Sequence, residues 1–183
     1  MIRWLLLLLG GALLGGIVHI ATIFVLPRTA TQDAYARLEP VAPLNKVVTL
    51  PEPSPEQATM PFMDPAFATA ICRYDLSKGP LKLTIPVSLA YTSVSFYTRR
   101  DVAYYAINDR AAGRRSIELD LMTAQQHADM PEDENITAAD RLIVESPTLT
   151  GIIAIRALAP EPGLMAIAQQ AIAGAQCRPM DQK

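Results

Sequence analysis

The sequence is poor in the side chains that carry catalysis or bind metals. It has only two histidines and two cysteines in 183 residues. It contains no CxxC or HExxH motif and no acidic metal-binding loop, so we predict no metal site and no cofactor. No nucleophile elbow accompanies any of its serines. We therefore assign no catalytic residues from the sequence.

The sequence also lacks an excess of charge of either sign. It carries 16 basic and 18 acidic residues, a formal net charge of -2, and the two signs are interspersed along the chain. A protein that binds nucleic acid normally carries a clustered basic surface. The charge pattern therefore gives no reason to expect a nucleic acid partner.

What the sequence does contain is a long apolar run at its N-terminus. The 23 residues from Trp4 to Leu26 include no Asp, Glu, Lys or Arg. As a helix this run is about 35 Å long, enough to cross a hydrocarbon core of about 30 Å. We predict a transmembrane anchor over residues 1–26. The alternative is a cleaved signal peptide. The apolar region of a signal peptide is usually shorter than this run, and its cleavage site needs small residues at two positions before the cut. Pro27-Arg28-Thr29-Ala30 does not supply small residues at both of these positions.

Basic residues flank the predicted anchor on both sides. Arg3 precedes it and Arg28 and Arg37 follow it, so the positive-inside rule gives nearly equal counts. The two cysteines, Cys72 and Cys177, favour the oxidising side of the membrane, because an even number of cysteines can pair there. We predict an inner-membrane anchor, a C-terminal domain in the periplasm and a Cys72–Cys177 disulfide. Two buried free thiols are the alternative to the disulfide.

A proline-rich segment follows the anchor. Residues 27–61 contain seven prolines, and proline fixes φ and removes a backbone donor. We predict a linker over residues 27–61 that is extended around Leu50–Glu56. One short helix from Gln32 to Leu38, with Thr31 as its N-cap, is expected to interrupt it. A globular domain then occupies residues 62–183.

Alternating apolar and polar residues predict several short strands in the globular domain. The strands are expected near Leu81–Ile85, Ser93–Tyr97, Val102–Ile107, Ile117–Leu121, Leu142–Glu145 and Ile152–Ala157. Short strands joined by turns favour an antiparallel sheet. The predicted fold class is α+β, with one sheet of about six strands flanked by helices.

Two helices are expected to flank this sheet. Asp64 followed by Pro65 is typical of a helix start and predicts a helix that runs to about Cys72. The second helix begins at Pro162 and carries an apolar face that must pack against a sheet. Cys177 lies at the end of the second helix, so a disulfide to Cys72 would join the two helices.

Small residues line one face of the predicted anchor. Gly11, Gly15, His19 and Thr22 fall on one face by their helical spacing. Small residues four positions apart let two transmembrane helices approach closely, and a histidine within lipid requires a partner or water. We predict that this face packs against another single-span membrane protein. The alternative is a plain anchor in which His19 lies near the outer interface.

Tyrosines concentrate on two neighbouring predicted strands. Tyr97 lies on one strand, and Tyr104 and Tyr105 lie on the next. Such a wall can line a pocket for a small molecule or a glycan, although aromatic pairs in an ordinary core give the same pattern. His127 is the one histidine outside the anchor and is expected to be exposed and without a role. An envelope hydrolase built on His127 is a third hypothesis.

Six short motifs occur between Gly16 and Arg110. In sequence order they are Gly16–Ile20, Asp33–Leu38, Met63–Phe67, Cys72–Ser77, Ser93–Tyr97 and Asn108–Arg110. In their order and spacing, these motifs resemble the short, membrane-anchored members of domain-of-unknown-function family 1254 from alphaproteobacteria.

The resemblance implies an integral inner-membrane protein of unassigned function, and it supplies no catalytic residues. Longer members of that family carry a second domain, of domain-of-unknown-function family 1214. A separately anchored family 1214 companion is therefore the implied partner for the face of Gly11, Gly15 and His19. We expect a non-enzymatic accessory or interaction subunit of the cell envelope. The alternative is a periplasmic module that binds a small molecule or a glycan.

Overall fold

The computed structural model describes residues 1–29, 33–54, 58–112, 115–130 and 142–180. The chain forms two compact units, Met1–Asp33 and Ala34–Lys183. The second unit therefore begins within the segment that was predicted as a linker.

The first unit is a long helix, α1, from Ile2 to Thr29. Its 25 residues from Ile2 to Leu26 have a mean hydropathy of 2.1, and none of them is buried. At 1.5 Å per residue this stretch is about 37 Å long, so its length and composition suit a membrane span. A signal sequence at the N-terminus has the same properties, and α1 is compatible with either.

Within the described residues, the second unit has nine strands in two sheets. The five-stranded sheet is antiparallel throughout and consists, in spatial order, of β1 (Val47–Thr49), β2 (Phe67–Asp75), β8 (Thr150–Leu158), β4 (Thr92–Thr98) and β5 (Ala103–Asn108). The four-stranded sheet consists of β7 (Leu142–Ser146), β6 (Ser116–Thr123), β3 (Leu81–Pro86) and β9 (Gln176–Pro179), with β6 and β7 parallel.

The helices of the second unit are short. They are α2 (Ala34–Leu38), α3 (Asp109–Ala112), α4 (Ala124–Ala128) and α5 (Met165–Ala173), which follows a 3-10 turn at Pro162–Leu164. α4 begins with a capping box, in which the Thr123 hydroxyl accepts from the Gln126 amide and the Gln126 side chain accepts from the Thr123 amide.

Hydrophobic residues cover both faces of the five-stranded sheet. The larger cluster joins both sheets and α5, and it includes Cys72 and Tyr74 of β2. The smaller cluster includes Ile71 of β2, Ile152 of β8 and Leu38 of α2. Because successive residues of a strand point to opposite faces, β2 and β8 are buried on both sides.

The helix predicted from Asp64 to Cys72 is wrong, because Phe67–Asp75 forms β2. The Asp64 carboxylate does accept a backbone hydrogen bond, from Ala66 N at 2.9 Å, but in a turn rather than at a helix start. β2 is buried on both faces, so its sequence lacks the alternation that marks a half-exposed strand. Its strand structure depends on pairing with β8, which lies far away in the sequence.

The α+β class is confirmed, and each of the six predicted strands is present. The single antiparallel sheet is wrong, since the strands form two sheets and one pair is parallel. The predicted linker contributes α2 and β1 to the second unit. The proposed N-cap Thr31 lies outside the described residues.

A disulfide joins Cys72 of β2 to Cys177 of β9, with the two Cα atoms 6.5 Å apart. α5 ends at Ala173, so Cys177 lies on a strand, and the predicted link between two helices is wrong. Both cysteines are buried in the larger cluster. The disulfide therefore ties the five-stranded sheet to the four-stranded sheet through the core.

Candidate functional site

A cavity of about 330 Å³ lies on the face of the five-stranded sheet that carries α2. Ile71, Ile152 and Ala154 form part of its floor, Leu38 contributes from α2, and the segment from Met60 to Asp64 forms another wall. This volume is at the lower end of the range of small-molecule sites, about 300–1,000 Å³. The cavity is the main candidate site of the second unit.

Three exposed charged side chains line the cavity: Asp64, Asp101 and Arg156. Asp64 Oδ1 accepts from Ala66 N at 2.9 Å, and Asp101 Oδ2 accepts from Ala34 N at 3.3 Å. Within the part of the chain that the structure describes, the Arg156 guanidinium makes no hydrogen bond or ion pair. Of the three charged groups of this cavity, Arg156 is thus the one that no described residue engages.

Phe62 also lines the cavity. Its side chain is fully exposed, and its φ of 59° lies in the left-handed region. This region is costly for a bulky residue, and an exposed phenyl ring gains no packing energy in return. Phe62 is therefore an apolar group at the cavity mouth whose ring is not covered by any described residue.

The three tyrosines of the predicted ligand wall are divided between the two faces of the five-stranded sheet. Tyr97 of β4 lines the cavity and packs with the smaller cluster. Tyr104 and Tyr105 of β5 pack with the larger cluster, with ring centroids 6.1 and 5.8 Å from that of Phe96. A register shift between β4 and β5 allows the successive residues Tyr104 and Tyr105 both to contact the ring of Phe96. Tyr97 alone of the three reaches the cavity, and its role in binding stays a prediction.

A cluster of hydroxyl groups lies within the larger cluster. The Tyr74 hydroxyl is 3.2 Å from the Tyr104 hydroxyl, 2.9 Å from Ser146 Oγ and 3.3 Å from the carbonyl oxygen of Tyr97. Ser146 Oγ in turn donates to the carbonyl oxygen of Thr148 at 2.7 Å. Burial raises the pKa of Tyr104 far above its usual range. The cluster is therefore a hydrogen-bond network within the core that connects β2, β4, β5 and β7.

The predicted helix-packing residues lie on α1. Apart from the helix's own backbone, no atom lies within 4 Å of the place where a Cβ would stand on Gly11 or Gly15. Thr22 Oγ1 donates to the carbonyl oxygen of Val18 at 2.8 Å, so its hydroxyl is satisfied within the helix. His19 is exposed. The packing of this face against a partner stays a prediction.

His127 links two elements of the second unit. Its Nδ1 lies 2.7 Å from Glu145 Oε1, which connects α4 to β7. Among the residues that the structure describes, no serine is hydrogen-bonded to His127, so they assemble no hydrolase triad around it. The same residues include no group of three or more His, Cys, Asp or Glu placed to hold a metal ion.

A protein family matches most of the chain. The family described as "Protein of unknown function (DUF1254)" matches residues 44–179. This chain belongs to the DUF1254 family. The matched region extends from just before β1 to the end of β9 and includes the floor of the cavity. No curated protein matches this DUF1254 chain.

Two of the solved structures that resemble the DUF1254 chain come from bacteria. The VPA0106 protein from Vibrio parahaemolyticus has a TM-score of 0.58 and 14% identity, over 80% of this chain and 33% of that one. An uncharacterized protein from Burkholderia cenocepacia has a TM-score of 0.47 and 12% identity, over 68% of this chain and 33% of that one. The first likeness shows a shared fold. The DUF1254 chain spans about a third of the length of each of these proteins.

Sequence reasoning about this DUF1254 chain missed the cavity. Its lining comes from α2, the segment before β2, and the strands β2, β4 and β8, and no local pattern relates these segments to one another. One signal was present in the sequence: Arg156 is a single charge within the apolar run Ile152–Leu158. A charge in a doubly buried strand marks a place where that strand meets solvent or a ligand.

Proposed function

We propose that this protein is a single-span membrane protein of the bacterial cell envelope. Its second unit lies in the periplasm and serves as a non-enzymatic subunit that pairs with another membrane protein. The observation that carries the proposal is α1, whose 25-residue stretch from Ile2 to Leu26 has a mean hydropathy of 2.1 and no buried residue. Exposing apolar surface to water costs about 25 cal/mol per Å², so such a helix requires lipid around it.

The disulfide supports a periplasmic location for the second unit. Structural disulfides persist in oxidising compartments and are rare in the cytosol. Cys72 and Cys177 are both buried, so their bond is part of the core rather than an exposed redox site. Arg3 precedes α1 whereas Arg28 and Arg37 follow it in the sequence, so the positive-inside rule does not choose between the two orientations and the disulfide carries the argument.

The partner is proposed to pack on the face of Gly11, Gly15, His19 and Thr22. At about 100° per residue, these four residues lie within an arc of about 80°. Glycines four residues apart leave the backbone accessible to a second helix, and His19 can donate a hydrogen bond across such a contact.

The kind of partner is proposed from the family resemblance, whose longer members join this domain to one of domain-of-unknown-function family 1214. The proposed companion is a separately anchored protein that resembles domain-of-unknown-function family 1214.

The location is tested with two fusions at the C-terminus. Alkaline phosphatase is active only after export, so its fusion should be active, whereas a green fluorescent protein fusion should be dark. The protein extracted from membranes should retain Met1 and its full mass of 19.9 kDa. Recovery of a soluble chain that starts after Leu26 would identify α1 as a signal sequence and overturn the proposal.

The partner is tested by purification in mild detergent and quantitative mass spectrometry of the membrane proteins that accompany the full-length chain. Gly15→Leu should reduce recovery of the partner about tenfold, because it fills the space for the second helix. The matched control is Gly10→Leu, about 140° away around the helix, which should retain the partner. Equal recovery with wild type and Gly15→Leu contradicts the proposed contact.

A further inference from the structure

We propose that the cavity beside α2 binds a small amphipathic carboxylate, an elongated apolar molecule with one anionic head that pairs with Arg156. The inference does not depend on the partner helix, so it goes beyond the proposed function. Three observations carry it: a largely apolar cavity, a guanidinium that has no partner among the described residues, and an exposed aromatic ring at the mouth.

The apolar lining determines the body of the ligand. Leu50, Met63, Ile71 and Ile152 all line the cavity, together with other apolar side chains. Met60 adds a flexible thioether that adapts to irregular shapes. A polar ligand such as a sugar would place part of its hydroxyl groups against these apolar side chains, where they find no partner. The lining therefore favours a hydrocarbon body.

The geometry of β8 determines the direction of the cavity. Ile152, Ala154 and Arg156 are two residues apart, so their side chains lie on one face. From Ile152 to Arg156 the strand advances about 13 Å at 3.3 Å per residue. Arg156 lies at one end of this row, and at the Ile152 end Asp101 lines the cavity with its carboxylate accepting from Ala34 N. An elongated ligand that lies along β8 would place its head at Arg156.

The hydrogen-bond partners of the charged side chains indicate the charge of the ligand's head group. Asp64 and Asp101 each accept a backbone amide, whereas Arg156 is unpaired within the described residues. Asp64 lies at the same end as Arg156, since β2 begins just after it and Phe67 pairs with Leu158. A dianionic head would be repelled by Asp64, so a single negative charge fits best. A carboxylate also matches the fork geometry of a guanidinium.

The exposed ring of Phe62 supports an apolar occupant. It lines the cavity mouth, is fully exposed and stands on a left-handed backbone. A bound hydrocarbon body would give this ring a surface to pack against. The small volume, about 330 Å³, favours a free single-chain carboxylate over a whole phospholipid.

The test uses the full-length chain in lipid nanodiscs and decanoate labelled with carbon-13 at the carboxyl group. A bound carboxylate should give a resonance that empty nanodiscs do not show. In competition for this signal, decanol should be about tenfold weaker than decanoate, because it lacks the charge that pairs with Arg156. Absence of a protein-dependent resonance, or equal competition by decanol or decylammonium, would overturn the proposal.

Variants locate the site. Arg156→Met keeps the apolar stem and should weaken decanoate about tenfold while leaving decanol unchanged. Arg178→Met, on β9 and exposed, is the matched control and should bind as wild type does. If Arg156→Met binds decanoate normally, the head does not lie at Arg156.

A second pair of variants tests the body of the cavity. Ala154→Leu fills the floor and should abolish binding of decanoate and decanol alike. Phe62→Ala, which removes an exposed ring and leaves the fold intact, should weaken both about threefold by removing its packing. Wild-type affinity in both variants would show that the carboxylate binds elsewhere on the protein and would refute this site.

Discussion

The side chain of Tyr74 lies across the backbone of Gly151, its direct partner in the β2–β8 ladder. A Cβ atom on residue 151 would overlap the Tyr74 ring and hydroxyl and the carbonyl oxygen of Tyr97. The missing side chain lets Tyr74 reach Ser146 and Tyr104 within the core. The close contact with Tyr74 therefore requires glycine at position 151.

Gly151→Ala should therefore destabilise the second unit by about 3 kcal/mol, because overpacking a core forces backbone and side chains to shift. Urea unfolding of the full-length chain in mild detergent, followed by near-ultraviolet circular dichroism, measures the effect. Gly163→Ala is the control, since no atom lies within 4 Å of its Cβ position, and it should change stability by less than about 0.5 kcal/mol. Similar losses in both variants would contradict the role of the Tyr74 contact.

Tyr104 should make the fold sensitive to alkaline pH. Burial raises its pKa in the folded state, whereas an unfolded tyrosine ionises near pH 10, at about its ordinary pKa. Neutral Tyr104 therefore stabilises the folded state fully below about pH 10. This contribution to the free energy of unfolding is lost as the pH rises toward the pKa of the folded state, by up to about 1.4 kcal/mol per pH unit.

Tyr104→Phe removes this ionisation. Between pH 9 and pH 11, the wild type should therefore lose about 1 kcal/mol more unfolding free energy than the variant. Tyr91→Phe leaves the hydroxyl cluster intact and should retain the wild-type pH profile. Parallel profiles for wild type and Tyr104→Phe would show that Tyr104 does not govern the alkaline loss.

The Cys72–Cys177 disulfide should supply a large part of the stability of the second unit. It closes a loop with a sequence separation of 105 residues, and the chain-entropy treatment gives about 4–5 kcal/mol for such a loop, an upper value. Reductant should lower the urea midpoint of the wild type to that of the Cys72→Ala/Cys177→Ala double variant. The double variant itself should not respond to reductant; a response there would mean that the effect has another origin.

Arg73 should hold α2 on the sheet. Its guanidinium lies 4.3 Å from the ring centroid of Tyr35 and donates to the carbonyl oxygen of Ala42 at 3.3 Å. It also pairs with Glu39 at 3.7 Å, but the Glu39 side chain is 72% exposed. Arg73→Met retains the stem and should cost about 2–3 kcal/mol, from the lost cation–π contact and the hydrogen bond of a buried charge.

Glu39→Gln is the matched test of the ion pair. It should cost less than about 0.5 kcal/mol, because exposed ion pairs contribute little. Both variants are measured by urea unfolding, together with limited proteolysis near α2, which should become faster in Arg73→Met. If Glu39→Gln is the more damaging variant, the ion pair rather than the ring contact holds α2.

The sequence predicted most strands that are buried on one face. In β3 and β4, buried and partly exposed residues alternate, and the amino acids alternate with them, so each segment carries its own evidence. β2 and β8 are buried on both faces. The sequence of β2 shows no alternation of apolar and polar residues, and the helix-start motif at Asp64-Pro65 led to the prediction of a helix instead of a strand.

The sequence by itself determined the long apolar helix and the alternating strands, because these depend on the properties of neighbouring residues. Only the tertiary structure decided the division into two sheets, the partner strands of the two cysteines, and the cavity with Arg156. Those features join segments that are distant in the chain, such as β2 and β8, and packing between such segments leaves no periodic trace in any one of them.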